Sequence, residues 1–424
     1  MAGRAFRQIK NACDGLRRLS SFRPARLNVK LLIRLKNGLK WAVQRVGCLG
    51  KPFAEEYRRC HGGNMKIEKI DKNFSTAANV GGAVWYDVKS VPFKTYGVYF
   101  DASAGLYARM PYDVAKSVSN GVGSLCRHTC GGRIRFGTDS PFVAVKITLD
   151  GVTGFPHMPL SGTSGAALYA EFSDGRDRFL GAVIPPYDTD GIYEGRVDVS
   201  AYGRPLGFTL YLPLYNGVKD VRIGLAEGSA LSAGPEYECK KPVVFYGSSI
   251  TQGGCASRPG ADYVSVLSRI LNVDVVNLGF SGSARGERTM AEYLSALDCS
   301  VFVMDYDHNA TDATELEKTH NAFFGIFRSA KPETPVIFIS RPDLKCGAAE
   351  AAARFAVIER TYLNAKRNGD KNVYLIDGRN LFAGRDGDGC TVDGVHPTDL
   401  GFMRMAEKIA PVLKAAYYSA LWHV

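Results

Sequence analysis

Val243-Val244-Phe245-Tyr246-Gly247-Ser248-Ser249-Ile250-Thr251-Gln252-Gly253 is the stretch from which the fold can be read. Four consecutive apolar residues stop at a glycine, a polar turn carries two serines, and a helical pattern follows near 261–271. A run that is apolar at every position has no solvent side, so it belongs in a sheet covered on both faces. The same grammar recurs at Asp274–Leu278, Val301–Asp305, Val336–Ile339 and Val373–Ile376, interleaved with helical patterns at about 286–297, 312–330, 348–368 and 400–417. Strands alternating with helices of this length predict one doubly wound domain with five parallel strands. Catalytic groups in such sheets gather beyond the carboxyl ends of the strands.

Upstream, from about 66 to 238, the pattern changes. Val143, Val145, Ile147 and Leu149 fall on one face of a run whose other face is Ala144, Lys146 and Thr148, the period-2 mark of a half-buried strand. Similar runs occur at Gly97–Phe100, Gly132–Phe136, Ala167–Phe172, Phe208–Leu212 and Val221–Leu225, separated by clusters such as Ser173-Asp174-Gly175 and Pro185-Pro186. Many short strands and almost no helix predict an antiparallel β-sandwich. Glu227–Lys241 reads as a linker. The expected division is a basic leader over 1–64, a sandwich over 65–238 and the α/β domain over 239–424.

Composition excludes several classes. The chain has 424 residues, 46% of them hydrophobic and 22% charged, with 46 Gly and 19 Pro, which is ordinary for a globular protein rather than a disordered or collagen-like one. The formal charge of +11 invites a nucleic-acid reading, but residues 1–64 hold 15 Lys+Arg against 3 Asp+Glu, and the rest holds 38 against 39. The body is neutral, so no basic footprint for a polynucleotide exists there. Within the leader, Leu32, Leu35, Leu39, Ala42 and Val46 recur at helical spacing among Arg34, Lys36, Lys40 and Arg45. A basic amphipathic helix on an anionic membrane is one reading. The favoured one for a bacterial source is that Met65 is the true start, because two glycine codons just upstream (Gly62-Gly63) can encode a ribosome-binding site read in frame. Membrane association is expected only if the leader is native. Ten cysteines without a C-x-x-C pair predict buried free thiols and no zinc site. No secretory signal pattern is visible, and the expected compartment is the cytoplasm.

The strand ends carry the chemistry. Gly247-Ser248-Ser249 follows the first strand of the α/β half, Gly279-Phe280-Ser281-Gly282 the second and Asp305-Tyr306-Asp307-His308-Asn309 the third, while Asp393-Gly394-Val395-His396 follows the fifth. A serine hydroxyl is a weak nucleophile until a base takes its proton. His396 can be that base, and Asp393 can accept the other ring N–H, fix the tautomer and stabilise the imidazolium. Attack on an ester carbonyl puts charge on oxygen, for which the N–H groups of Ser249 and Gly282 and the side-chain amide of Asn309 are candidate donors. Singly, each has a blander reading: Gly282 as a turn residue, Asn309 as an N-cap, the Asp/His pair as a polar loop. Arg341, at the end of the fourth strand, can clamp a polar acyl or sugar group or form a structural ion pair. His308 is read as a rim or structural residue, Arg109, Arg133 and His128 as structural, and Glu359 and Arg360 as a solvated or interdomain pair.

These segments resemble the blocks of the SGNH (GDSL-type) hydrolases over about 242–415. Matched residue by residue, Ser249 falls on the nucleophile, Gly282 and Asn309 on the oxyanion residues, and Asp393 and His396 on the Asp-x-x-His pair. Ser248 replaces the Asp of Gly-Asp-Ser. A closer likeness, to bacterial members with a sandwich ahead of the hydrolase, extends over roughly 70–415 and rests on Cys126-Arg127-His128-Thr129-Cys130-Gly131-Gly132-Arg133-Ile134-Arg135-Phe136 and on Gly165-Ala166-Ala167-Leu168-Tyr169. The latter is similar to Gly-x-Asp-Leu-Tyr, with Ala167 where the acid is usual. No G-x-S-x-G elbow occurs, which argues against an α/β-hydrolase.

The resemblance implies a flavodoxin-like three-layer α/β/α domain behind an antiparallel β-sandwich, and a serine esterase without metal or organic cofactor. The expected substrate is a small acyl ester, acetyl on a carbohydrate by analogy with SGNH carbohydrate esterases. A lipase, a thioesterase or an acyltransferase of the same superfamily, and an inactive carbohydrate-binding protein, are the alternatives. The expected partner is a small-molecule or oligosaccharide ester, with no nucleic acid; the oligomeric state is left open.

Overall fold

The computed structural model describes residues 80–203, 205–343 and 345–421; the basic leader lies outside them. In the first half, β1 (Ala83–Asp87), β2 (Lys94–Tyr96), β3 (Tyr99–Asp101), β4 (Leu106–Ala108), β5 (Arg133–Thr138), β6 (Phe142–Leu149), β7 (Ala166–Glu171), β8 (Asp177–Val183), β9 (Ile192–Asp198), β10 (Gly207–Tyr211), β11 (Val218–Ala226) and β12 (Leu231–Ser232) pair antiparallel. They form the sheets β1-β11-β6-β9 and β12-β5-β10-β7-β8, with β2 on β5 and a β3-β4 hairpin. Val143, Val145 and Ile147 of β6 and Val221, Ile223 and Leu225 of β11 share one buried core with Ile134, Phe136, Leu168 and Leu210 of the facing sheet. Burying one face of each sheet against the other is what the alternation requires.

Strands β1, β2 and β4 are not among the expected runs, and three further features depart from the sequence expectation. Strands β8 and β9 carry glycine at inward positions, which breaks the apolar alternation. A Cβ on Gly195 would lie 2.7 Å from Val183 Cγ1, and one on Gly181 would lie 3.0 Å from Val197. The helices Tyr112–Val118 and Asn120–Leu125 occupy a region expected to lack helix. Each is too short for a periodic signal; Ser119 caps the second by accepting the Val122 N–H at 3.1 Å. Finally, the expected linker contributes β12, which pairs with β5.

The second half is a parallel sheet of β13 (Val243–Gly247), β14 (Val275–Gly279), β15 (Val301–Asp305), β16 (Val336–Ile339) and β17 (Val373–Ile376) in the order β14-β13-β15-β16-β17. This is the doubly wound, three-layer arrangement. Val243, Phe245, Val301, Val303, Ile337 and Ile339 point into one core with the helices Tyr263–Leu271 and Asp399–Leu421. Val244, Tyr246, Phe302, Met304, Val336 and Phe338 point into the other, with Arg288–Ala296, Ala313–Ala330 and Ala348–Arg367. Asp262 caps Tyr263–Leu271 by accepting from Ser265 N–H, and Asp312 caps Ala313–Ala330 by accepting from Glu315 N–H, both at 2.9 Å.

Strand β14 is an edge strand, and sandwich arginines cover its open side. Arg109 Nη1 donates to the carbonyls of Asn277 (2.9 Å) and Gly279 (2.7 Å). Arg133 donates to the Val275 carbonyl at 3.2 Å and pairs with Asp274. Alternate carbonyls of a strand that lacks a neighbour are thereby satisfied by guanidinium groups. Both arginines are buried, and both are structural, as their sequence context suggested.

Candidate active site

The turn after β13 brings Ser249 to the sheet end. Ser248 is the N-cap of the short helix Ser249–Gln252, its Oγ accepting the Ile250 N–H at 3.2 Å. That helix sits directly on the strand ends, which demands glycine at two places: a Cβ on Gly247 would lie 2.0 Å from Thr251 Oγ1, and one on Gly279 would lie 2.3 Å from Gln252 N. From the far end of the domain, His396 reaches the same point, with Nε2 2.9 Å from Ser249 Oγ. Its Nδ1 lies 2.8 Å from Asp393 Oδ2.

Asp393 is held as a charged acceptor. Its Oδ1 takes the N–H groups of His396 (2.8 Å) and Val395 (3.0 Å). Partial burial pulls its carboxyl upward, but these bonds and the imidazole outweigh it and hold the group well below the usual carboxylate range. An ionised Asp393 can only accept, so Nδ1 carries the ring proton and Nε2 is left to accept from the serine. The loop is closed by Val392 N–H on the His396 carbonyl (2.9 Å) and tethered by Lys345 Nζ on the Asp393 carbonyl (2.8 Å).

Gly282 and Asn309 lie in loops bound to this turn. Phe280 N–H donates to the Gly247 carbonyl at 2.8 Å and Ser281 N–H to Gln252 Oε1 at 3.0 Å. Gly282 has φ +64° and open space around its missing Cβ, so conformation, not crowding, favours glycine there. The N–H groups of Ser249 and Gly282 have no acceptor among the described residues. Asn309 Nδ2 donates to the Phe280 carbonyl at 3.0 Å, which leaves its second amide hydrogen free of that bond. Asn309 is not the N-cap of the following helix; Asp312 is. The loop is fixed beneath by Arg354, whose Nη1 meets Asp307 Oδ1 at 3.0 Å and whose Nη2 donates to the Ala310 carbonyl at 3.0 Å.

Arg341 is buried and paired. Its guanidinium takes both carboxylate oxygens of Asp343, with Nη2 to Oδ1 at 3.0 Å and Nε to Oδ2 at 3.3 Å, and His308 Nε2 binds the same Asp343 Oδ2. Burial raises the Asp343 carboxyl, but His308 and Arg341 more than offset this and hold it at about 2. Of the two roles left open by the sequence, this geometry is that of the ion pair, and His308 is part of it. Arg360 pairs across helices with Glu317 at 3.1 Å. His128 is half-buried beside Gln252 Nε2 (3.3 Å), and its loss of solvent, with Arg109 nearby, lowers its ring to about 4.

Three neighbours of the serine and histidine were not singled out from the sequence. Tyr215, from the sandwich, donates to the Ser249 carbonyl at 3.2 Å. His157, on the sandwich loop after β6, places its ring 5.6 Å from that of His396, and the ligand atoms of His157, Cys255 and His396 all lie within 4.8 Å of one another. The three come from separate segments with no common spacing, so no local pattern announces them. Among the described residues every cysteine is free, and no helix is long and apolar enough to cross a membrane.

Comparison with known proteins bears on the same two halves. The model of the GDSL-like lipase/acylhydrolase family matches residues 240–414. That of the N-terminus of SGNH-hydro-type esterases matches residues 83–231. The chain belongs to the SGNH (GDSL-type) hydrolases. As an SGNH hydrolase it is an esterase or acylhydrolase, and its similarity to solved structures spans both halves. A structure from Bacteroides ovatus ATCC 8483, described as a GDSL-like lipase, is 27% identical with a TM-score of 0.70, covering 79% of this chain and 98% of its own. Salicylyl-acyltransferase SsfX3 from a tetracycline biosynthetic pathway shares the fold, with a TM-score of 0.63 at 21% identity over 80% of this chain and 98% of its own. No curated protein matches the chain. In this SGNH hydrolase the Gly165–Tyr169 segment runs into β7, and Ala167 packs with Tyr169 and Tyr211.

Proposed function

We propose that this enzyme is a serine esterase that cleaves small acyl esters, acetyl on a carbohydrate being the favoured class, through a Ser249-His396-Asp393 relay. The observation that carries the reading is the unbroken chain of contacts from hydroxyl to imidazole to carboxylate, 2.9 and 2.8 Å long. In the forward step Ser249 Oγ bonds to the ester carbonyl carbon while its proton passes to His396 Nε2. Charge on the carbonyl oxygen is met by the N–H groups of Ser249 and Gly282 and by Asn309 Nδ2. Collapse expels the alcohol, which takes the proton from His396 and leaves an acyl-serine; water then repeats the sequence with His396 again as base. Asp393 stays ionised throughout and stabilises the imidazolium. His157 beside His396 and Asn309 on the Phe280 carbonyl put polar groups around the relay, which suits a short acyl ester of a sugar better than a long-chain ester.

Turnover of p-nitrophenyl acetate by the wild type and by Ser249→Ala tests the reading. We expect the variant to lose at least about 10³-fold in kcat, short acyl esters to be preferred over octanoyl, and acetate to be released from acetylated oligosaccharides. Equal rates for wild type and variant across a panel of acyl esters would overturn the assignment.

A further inference from the structure

His157, Cys255 and His396 form a triangle of metal-ligating side chains on the mouth of the site. The geometry points to a binding site for a thiophilic divalent cation such as Zn²⁺, which by coordinating His396 Nε2 displaces Ser249 Oγ and silences ester cleavage. The silencing rests on the function proposed above; the binding does not.

Two imidazoles and a thiol are the donor set that zinc prefers, and three protein ligands with an open fourth position are a recurring zinc arrangement. The ligand atoms lie within 4.8 Å of one another. In a tetrahedral site with bonds of about 2.0–2.3 Å, neighbouring donors stand about 3.5 Å apart, so closure needs an inward movement of roughly 1 Å. His157 can supply it, because it is exposed and sits at the tip of a tight loop. Cys255 provides the fixed corner: it is buried, and its N–H is bound to Met158 Sδ at 3.4 Å. That bond ties the loop carrying His157 to the segment carrying Cys255.

His396 is already prepared as a ligand. Histidines that bind metals generally donate their second ring N–H to a carboxylate, which fixes the tautomer and raises basicity. Here Asp393 Oδ2 receives Nδ1 at 2.8 Å, and Nε2 faces the serine. The arrangement that makes His396 a base also makes it a ligand. On binding, the Cys255 thiol releases its proton to solvent and the thiolate takes the metal; no redox change is involved. Cation and acyl substrate then compete for one imidazole.

Titration of the full chain with Co²⁺, followed by absorption, reads the site directly. We expect a near-ultraviolet thiolate-to-cobalt band that Zn²⁺ bleaches by displacement. The band should be absent in Cys255→Ser, and Zn²⁺ binding should weaken by at least about 100-fold in Cys255→Ser and in His157→Ala, more than the loss of an outer partner causes. Ser249→Ala, in which turnover is removed, should keep the band, so the metal site is tested even if the esterase reading fails. In the activity assay, Zn²⁺ should inhibit the wild type reversibly, with recovery on chelation, and Cys255→Ser should resist it. Co²⁺ bound without a thiolate band, a band that survives Cys255→Ser, or unchanged affinity in His157→Ala would each overturn the proposal.

Discussion

Replacing Asp393 by asparagine tests the relay more sharply than replacing it by alanine. In the native loop, Asp393 Oδ1 accepts two backbone N–H groups, from His396 and Val395, and Oδ2 faces His396 Nδ1. An asparagine must put its carbonyl oxygen where Oδ1 stands, because an amide NH₂ cannot accept from the two backbone donors. Its NH₂ then points at Nδ1, which has to become an acceptor. The ring proton moves to Nε2, opposite Ser249 Oγ, and the imidazole can no longer receive the serine proton. The corresponding change in a serine protease triad lowers kcat by about 10⁴, equivalent to about 5.5 kcal/mol at roughly 1.4 kcal/mol per decade. Asp393→Ala removes the charge but leaves the tautomer free, so it should retain more activity than Asp393→Asn. The assay is kcat for p-nitrophenyl acetate on folded protein, with the thermal midpoint as the folding control. An asparagine variant within about tenfold of wild type, or clearly faster than the alanine variant, would refute the tautomer argument.

Asn309→Ala should lower kcat by roughly 10²–10³ with little change in KM, as expected for a donor that acts on charge developing in the transition state; an equal rise in KM instead would assign Asn309 to ground-state binding. Asp305, buried under the serine helix with Thr251 Oγ1 at 2.8 Å and Tyr263 OH at 2.6 Å on its Oδ2, is pushed by burial up to about 7. A folded-state value raised above that of a free carboxylate gives stability that is complete below about pH 4 and fades as pH rises through 7. The displacement from 3.8 to about 7 corresponds to roughly 4 kcal/mol. Asp305→Asn should therefore flatten the fall in thermal midpoint between about pH 4 and pH 7, and an unchanged slope would show that Asp305 is not its source.

The parts of this molecule that were legible in advance share a physical cause. Val301–Asp305, Val336–Ile339 and Val373–Ile376 were located to the residue because a strand buried on both faces must be apolar throughout. Ser249, Asp393 and His396 could be singled out because a doubly wound sheet concentrates its loops at one edge. Strands β8 and β9 were missed because their inward positions include Gly181 and Gly195, chosen for close approach to Val197 and Val183. Those contacts are tertiary and leave no period. His157 and Cys255 were missed for a related reason: the loop after β6 meets the turn after Gly253 only once sandwich and sheet have packed together. For Arg341 the sequence left clamp and ion pair open, since only the fold brings Asp343 and His308 to its guanidinium.

The sandwich does more than cover one side of the sheet. Tyr215 holds the Ser249 carbonyl, and Gly254 must lack a side chain because a Cβ there would lie 2.9 Å from Tyr215 OH and 3.2 Å from His396 Cδ2. Nucleophile, base and sandwich thus meet across one glycine. Arg109 and Arg133 meanwhile satisfy the outer carbonyls of β14 at positions 275, 277 and 279, which would otherwise stand open on an edge strand. The loop that carries Gly282 begins where that strand ends, so the placement of one oxyanion candidate depends on guanidinium groups from the other half of the chain. A relay that works at hydrogen-bond tolerance needs its members fixed to a fraction of an ångström. In this enzyme that rigidity comes from both layers, which is why the catalytic half cannot be understood as a self-sufficient unit with an ornament attached.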